Sequence, residues 1–465
     1  NCGSGAPPTA AAPGAGGDTT GDATGAGGGA GTDAAGAGGG DDAAAGTGGA
    51  GTDAAAGAGG AGTDGGSDTG SDAGSDAGSD AGSTGPTVVG TAARPQLAST
   101  SASDYTIARY LAQAGNLASG LVTDNWDPTA GVGDVSTFTP NYTVAPCAGG
   151  MPTVQSAIDA ATAAGGTSRV YILVVPGTYR EVVCVKSNAP PITLYSTNAD
   201  ATQTVIVANN YSGKTVTSPL TGLGSNPCAS SNPPAVGATY GTSGSATFAA
   251  YAKDFQAKNL TLANDLDETG LSGSLQAVAL MTQADRLVFE NVRLIGNQDT
   301  LYVKTPNTDT VSRSYYKGCY VEGDVDYIFG RGTMVFDGCE IKYLSSRRGA
   351  ANGGDILSPS TDIRNPYGIL VVNSMFTADA ATTAGSVALG RAWDEGQTLA
   401  TYPPATGTYP NGQALVRNTT LGAHVSNTAP WVASATTSRP FSATAGTYPA
   451  NRLWEYSNTG AGAAP

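Results

Sequence analysis

The sequence predicts an all-β chain: a single-stranded parallel β-helix preceded by a disordered low-complexity tail. Three features point there. All 32 aromatic residues and all 22 basic residues lie beyond residue 86, short alternating apolar runs dominate from about Ser168, and one apolar phrase recurs around an Asn or Gly pivot.

The tail comes first. Of the 67 glycines, 30 fall in residues 1–86, with 11 Asp and no Lys, Arg, Glu or aromatic residue. So little apolar surface cannot offset the entropy of ordering the backbone, and the segment should stay disordered. Gly31–Ala35 returns as Gly51–Ala55, and Ser-Asp-Ala-Gly runs three times from Ser71 to Gly82. Such a solvated tether has a mean span of roughly 50 Å. It divides the chain into residues 1–86, a tether, and 87–465, the folded part. A spacer makes sense if its start is anchored, and Cys2 sits there, followed by Gly3-Ser4-Gly5. The chain opens on Asn1 rather than Met, which points to an upstream segment removed or omitted. Cys2 then reads either as a bacterial lipoprotein acylation site or as a thiol or disulfide partner.

Charge narrows the function. The tail holds 11 of the 37 acidic residues, leaving 22 basic against 26 acidic side chains beyond it. No basic face remains to bind nucleic acid. No apolar run reaches 18 residues, so membrane contact is expected only through a lipid at Cys2. The single histidine, His424, excludes a His-rich metal site and argues against a Ser–His–Asp triad. Cys147, Cys184, Cys228, Cys319 and Cys339 include no C-x-x-C and no accompanying His, so bridges of an exported protein are expected rather than zinc. No metal and no organic cofactor is implied.

Within the folded part, Thr153–Ala164 predicts a helix, with Val154, Ile158 and Ala161 on one face and Thr153 as N-cap. A second short helix is expected within Asp104–Ala118. Strands follow at Val170–Val175, Ile192–Tyr195 and Val205–Val207. The recurrent phrase then reads Phe255–Leu262, Leu287–Leu294, Tyr315–Val321, Val335–Ile341, Ile369–Phe376 and Ala414–Leu421. Its pivots are Asn259, Asn291, Gly318, Gly338, Asn373 and Asn418, residue types that accept a left-handed backbone. Their separations of 32, 27, 20, 35 and 45 residues suit one coil of a β-helix per repeat, with loops of varying length. An irregular β-sandwich is the competing architecture. In a stack of coils Cys319 and Cys339 lie one above the other, and a bridge between them is expected.

A rigid stack leaves chemistry to one face and its loops. Polar groups interrupt apolar strands at Gln276–Leu280, Gly296–Tyr302, Val321–Gly330 and Leu389–Trp393. Two aspartates, two carboxamides, an arginine and a tryptophan can make a hydrolytic site without Ser or His. One carboxylate held ionised by the arginine can attack an ester carbonyl. The second, kept protonated by burial and its like-charged neighbour, can protonate the leaving alcohol and later activate water. Carboxamide N–H groups can donate to the oxyanion. Taken singly, each Asp has a plain reading as a coil-turn residue.

These residues resemble the pectin methylesterase family, bacterial branch, from about Thr153 to the end. The resemblance is carried by Gly177-Thr-Tyr179-Arg-Glu181, Thr242–Phe248, Gln276-Ala-Val-Ala, Gln298-Asp-Thr-Leu-Tyr302, Val325-Asp-Tyr-Ile-Phe-Gly330 and Leu389-Gly-Arg-Ala-Trp393. Leu421–Val425 and Glu455–Gly460 resemble its closing signatures. The resemblance implies a right-handed, pectin-lyase-like parallel β-helix that hydrolyses galacturonate methyl esters in pectin, giving methanol and pectate. By matching position, Asp326 resembles the nucleophile, Asp299 the general acid and base, Gln276 and Gln298 the oxyanion donors, and Arg391 the partner holding Asp326 ionised. Thr242 and Trp393, with Gln276 and Arg391, resemble substrate-contacting residues, and Tyr302 and Phe329 line the cleft. The family's bridge one coil long matches Cys319–Cys339. Tyr179, Glu181 and His424 read as structural.

The expected partner is methyl-esterified homogalacturonan, acted on by a monomer that is exported, as an outer-membrane lipoprotein or in secreted form. Two departures touch specificity: the aspartates are 27 residues apart, the excess falling in Thr305–Ser312, and an insertion spans about Asn209–Thr239. The rival readings are a tethered esterase or thioesterase with the same catalytic set, another β-helix carbohydrase, and a silent adhesin. Paired catalytic aspartates should titrate together, so activity should fall at low pH.

Overall fold

The computed structural model describes residues 86–146, 149–217, 236–345, 353–405, 407–444 and 447–465. Cys2, Cys147, Cys228, the tail up to residue 85 and the middle of the Asn209–Thr239 insertion lie outside them.

Each coil has three faces. In the Leu287–Ile295 strand, Leu287–Glu290 pairs with Ser314–Lys317 of the next coil, and the chain then turns at Asn291. Beyond the pivot, Arg293 and Leu294 pair with Tyr320 and Val321 on a second face. A bend at residues 296–300 leads to Leu301–Val303, which belongs to a separate third sheet. All of these ladders are parallel. Every pivot read from the sequence has positive φ: Asn259 60°, Asn291 51°, Gly318 57°, Gly338 65°, Asn373 52° and Asn418 50°. The side chains also tie coils together, with Asn291 Nδ2 donating to Asn259 Oδ1 at 2.8 Å.

The interior is a column of inward-facing residues. Phe255, Phe289, Tyr316 and Phe336 follow one another up the axis, with Phe289–Tyr316 and Tyr316–Phe336 stacked at centroid separations of 5.0 and 4.5 Å. Each such pair adds about 0.5–1.5 kcal/mol beyond the area it buries. Open ends of a solenoid need covers. The helix Val154–Ala164 buries Val154, Ala157, Ile158 and Ala161 over one end. Thr153 and Ser156 form a reciprocal capping box at its start. The Glu181 carboxylate accepts from the Val154 and Gln155 amides at 2.9 and 3.0 Å, and the Tyr179 hydroxyl donates to the Val175 carbonyl. Both are structural, as expected. The expected second helix is Ile107–Ala112. After it comes an antiparallel hairpin, Gln113–Asn116 with Gly120–Thr123, that was not foreseen. It holds the 305–312 loop, through Leu117 N to Asp309 O at 2.7 Å and Val311 N to Gly115 O at 3.1 Å.

Two expectations are corrected. Cys319 and Cys339 are both buried free thiols, not a bridge. They lie one coil apart at the corners that follow Gly318 and Gly338, between strands, and the Cys319 amide donates to Cys339 Sγ at 3.3 Å. Each thiol instead donates to a main-chain carbonyl of the preceding coil, Cys319 to Phe289 and Cys339 to Tyr316, both at 3.3 Å. Cys184, by contrast, is disulfide-bonded. The second correction concerns the polar clusters. Gln276, Gln298, Asp299 and Asp326 lie on the bends that precede the third-face strands, not within them. Asp299 and Asp326 take positive φ of 67° and 47°, which ends strand geometry at those residues.

Candidate active site

The third sheet runs through Val183–Val185, Phe248–Ala250, Leu280–Thr282, Leu301–Val303, Ile328–Gly330, Asp355–Pro359 and Ala388–Gly390. Alternation sends Leu280, Leu301, Ile328 and Leu357 inward, where all four are fully buried. The next residue of each strand faces out, and parallel register stacks these as Met281, Tyr302, Phe329 and Ser358. Gly390 is the partner of Leu357, so Arg391 takes the following place in that outward column.

A second column forms two residues earlier. Asp299, Asp326 and Asp355 each stand two positions before an in-register residue, Leu301, Ile328 and Leu357. Backbone bonds continue the ladder through the bends: Asp299 N to Val325 O at 3.1 Å and Asp326 N to Asp355 O at 2.7 Å. A left-handed backbone at a non-glycine residue costs about 1–2 kcal/mol. Asp tolerates it better than most, and strain of this kind gathers at functional sites.

Arg391 binds Asp326 through both arms of a fork, Nε to Oδ1 at 3.0 Å and Nη2 to Oδ2 at 2.7 Å. Its remaining arm, Nη1, lies 3.3 Å from Asp355 Oδ2. Ser358 Oγ also donates to Asp326 Oδ1. Burial alone would lower the guanidinium, but Asp326, then Asp355 and Asp299, outweigh it and raise Arg391 above its ordinary value. The aspartate column therefore faces a fixed cation, and among the described residues no acidic or thiol cluster is arranged to hold a metal ion.

The remaining residues singled out in the sequence border this pair. Gln276 Oε1 is buried and accepts no hydrogen bond. A carboxamide with incomplete bonding is available to a ligand. The Gln298 carbonyl accepts from Ala277 N at 3.1 Å, which sets the two carboxamide-bearing bends side by side. Tyr302 and Phe329 stack at 4.2 Å, and Trp393 is inclined at 60° to both, 6.0 and 5.5 Å away. The Trp393 indole N–H is held by Thr436 Oγ1 at 3.1 Å. These rings make an apolar floor beside the carboxylates. Thr242 lies in the short helix Gly241–Gly244. Next to it, Ser243 Oγ accepts from Lys304 Nζ, and that ammonium sits 5.3 Å from the Tyr302 ring centroid. His424 lies apart, buried, its ring parallel to Tyr343 at 6.4 Å.

Two site residues were missed in the sequence. Ser358 carries no signal of its own in the sequence; its place beside Asp326 comes from the register of the third sheet. Asp355 had a usable signal: it precedes Leu357 by the same two residues that separate Asp299 and Asp326 from their strands.

A pectinesterase family model matches residues 220–400. The pectinesterase of Ralstonia solanacearum is 46% identical over 374 residues, covering 80% of this chain and 92% of that protein. The structure of rice weevil pectin methyl esterase superimposes with a TM-score of 0.68 at 32% identity, covering 82% of this chain and 100% of that one. The structure of Escherichia coli YbhC does so with a TM-score of 0.67 at 27% identity, covering 80% of this chain and 96% of that one.

Proposed function

Because the chain belongs to the pectinesterase family and hydrolyses galacturonate methyl esters in pectin to pectate and methanol, we propose that Asp326 is its nucleophile and Asp299 its general acid and base. The fork from Arg391 to Asp326 carries this reading. It supports an ionised carboxylate, and it aims the charge-assisted bonds at the group that must attack.

The reaction then divides into two steps. An Asp326 oxygen attacks the ester carbonyl carbon, and the carbonyl electrons move to oxygen. Gln276 and Gln298 supply N–H donors to that oxyanion. As the intermediate collapses, the bond to the methoxy oxygen breaks, Asp299 gives its proton to it, and methanol leaves. The acyl group remains on Asp326 as a mixed anhydride. Asp299, now ionised, takes a proton from water as the water attacks the acyl carbon. Collapse returns the Asp326 carboxylate and releases the galacturonate carboxyl. Tyr302, Phe329 and Trp393 offer faces for sugar rings, and Thr242 a hydroxyl at the same cleft.

Pectin lies outside the cell, so the protein acts after export. Residues 1–86 serve as a tether to a lipid on Cys2, and residues 87–465 act as a monomer. Among the described residues no helix is long and apolar enough to cross a membrane. Metabolic labelling with a fatty acid, lost in Cys2→Ser, tests the anchor; label retained by Cys2→Ser overturns it. Methanol release from esterified pectin, set against hydrolysis of an acyl thioester, tests the substrate. A folded sample that cleaves the thioester and releases no methanol defeats the assignment.

A further inference from the structure

We propose that Asp355 is a positioning residue, the third carboxylate of the ladder, which holds the free arm of Arg391 so that its other two nitrogens meet Asp326. The proposal rests on the reading of Asp326 as nucleophile. A guanidinium is a planar fork, and holding one nitrogen at one side fixes the plane in which the others point. Asp355 Oδ2 lies 3.3 Å from Nη1, while Nε and Nη2 reach Asp326. The three groups come from three successive coils, so no local sequence element holds the fork in place.

The backbone at Asp355 is pinned. The Asp326 amide donates to the Asp355 carbonyl at 2.7 Å, and the Ala388 amide to the Gly354 carbonyl at 2.9 Å. Gly354 passes so close to the preceding coil that a Cβ there would stand 1.9 Å from the Asp324 carbonyl oxygen. Only glycine permits that approach, and it sets the height at which Asp355 leaves the strand. The side chain also borders an open cavity of about 360 Å³, lined in part by Gly353, Ser386, Ala388 and Ser426. Solvent therefore reaches the Arg391 arm if the carboxylate is removed.

The charged groups around the nucleophile are Asp299 from the preceding coil, Asp355 from the following one, Arg391 from the coil after that, and buried Asp324 in the same bend. Asp355 is thus also a like charge close to the reacting carboxylate.

The test compares Asp355→Ala and Asp355→Asn with the parent in methanol release across pH. Asparagine keeps an oxygen that Nη1 can reach; alanine does not. The expected result is a kcat about tenfold lower in Asp355→Ala with KM changed less than threefold, and recovery of most of that loss in Asp355→Asn. Added formate, small enough for the cavity, should partly restore Asp355→Ala. A purely structural role lowers the melting temperature without a kcat loss that formate or asparagine restores; an Asp355→Ala kcat within threefold of the parent, or a loss that neither Asp355→Asn nor formate recovers, overturns the proposal. If Asp355→Ala fails to fold, Asp355→Asn decides alone: a kcat within threefold of the parent supports the proposal, and a tenfold loss in a folded sample overturns it. Failure of the underlying reading has a different signature, since Asp326→Asn would then retain activity whatever Asp355 does.

Discussion

Replacing Arg391 by lysine separates the charge of the fork from its geometry. The parent makes two charge-assisted bonds to Asp326, at 3.0 and 2.7 Å. Lysine keeps one positive charge but, as a point donor, replaces at most one of them. A hydrogen bond to a charged group contributes about 1.5–3 kcal/mol. Losing one in the transition state therefore lowers kcat/KM roughly 10- to 150-fold. The loss should fall on kcat, because Arg391 orients the attacking group more than it binds sugar. Initial rates of methanol release over a range of pectin concentrations measure both constants, with circular dichroism confirming the fold. Arg391→Lys within threefold of the parent in kcat/KM would refute the claim that the fork orients the nucleophile. A loss confined to KM would instead place Arg391 in ground-state substrate binding.

Other consequences concern the cleft and the scaffold. Gln276→Ala should lower kcat by on the order of 10²–10³-fold with KM little changed, as loss of an oxyanion donor does; the same methanol assay reads it. Asn291→Ala should destabilise the fold by about 2 kcal/mol, because alanine resists the left-handed pivot and removes bonds to Asn259 and the Ala199 carbonyl. Asn291→Gly should cost less, since glycine accepts that φ; urea unfolding midpoints compare them. Burial lowers the His424 imidazole from 6.5 to about 4, so the folded state keeps it neutral. Its folded-state contribution is complete above pH 6.5 and is lost as pH falls toward 4, by up to about 3 kcal/mol. His424→Gln should flatten that part of the melting-temperature profile.

The coil repeat was legible because a β-helix demands a left-handed residue at a fixed corner, and only a few residue types meet that demand. All six pivots were found for this reason. The order of the polar clusters was legible because each belongs to one coil. What the sequence hid depends on register between coils. Asp355 becomes a member of the site only when strands of unequal loop length are stacked, which puts it one step beyond Asp326. Stacking also misled: Cys319 and Cys339 do lie one coil apart, but each thiol turns to a main-chain carbonyl of the preceding coil. The bends at Asp299 and Asp326 read as strand because apolar runs follow them directly, Leu301-Tyr302-Val303 and Tyr327-Ile328-Phe329, and positive φ at an aspartate leaves no compositional trace. The hairpin Gln113–Thr123 is short and lacks a clear apolar alternation, and it is held by tertiary anchors such as buried Arg313, which bonds Asp124 and Asp285 at 2.7–2.9 Å.

Attack by Asp326 on the ester carbonyl is the centre of this account. The substitution Asp326→Asn keeps size and shape while removing the charge that attacks. Methanol released from esterified pectin by parent and variant, at matched concentration and melting temperature, is the decisive measurement. Nucleophilic attack by Asp326 requires a loss on the order of 10³-fold or more. Activity of Asp326→Asn within tenfold of the parent would contradict it.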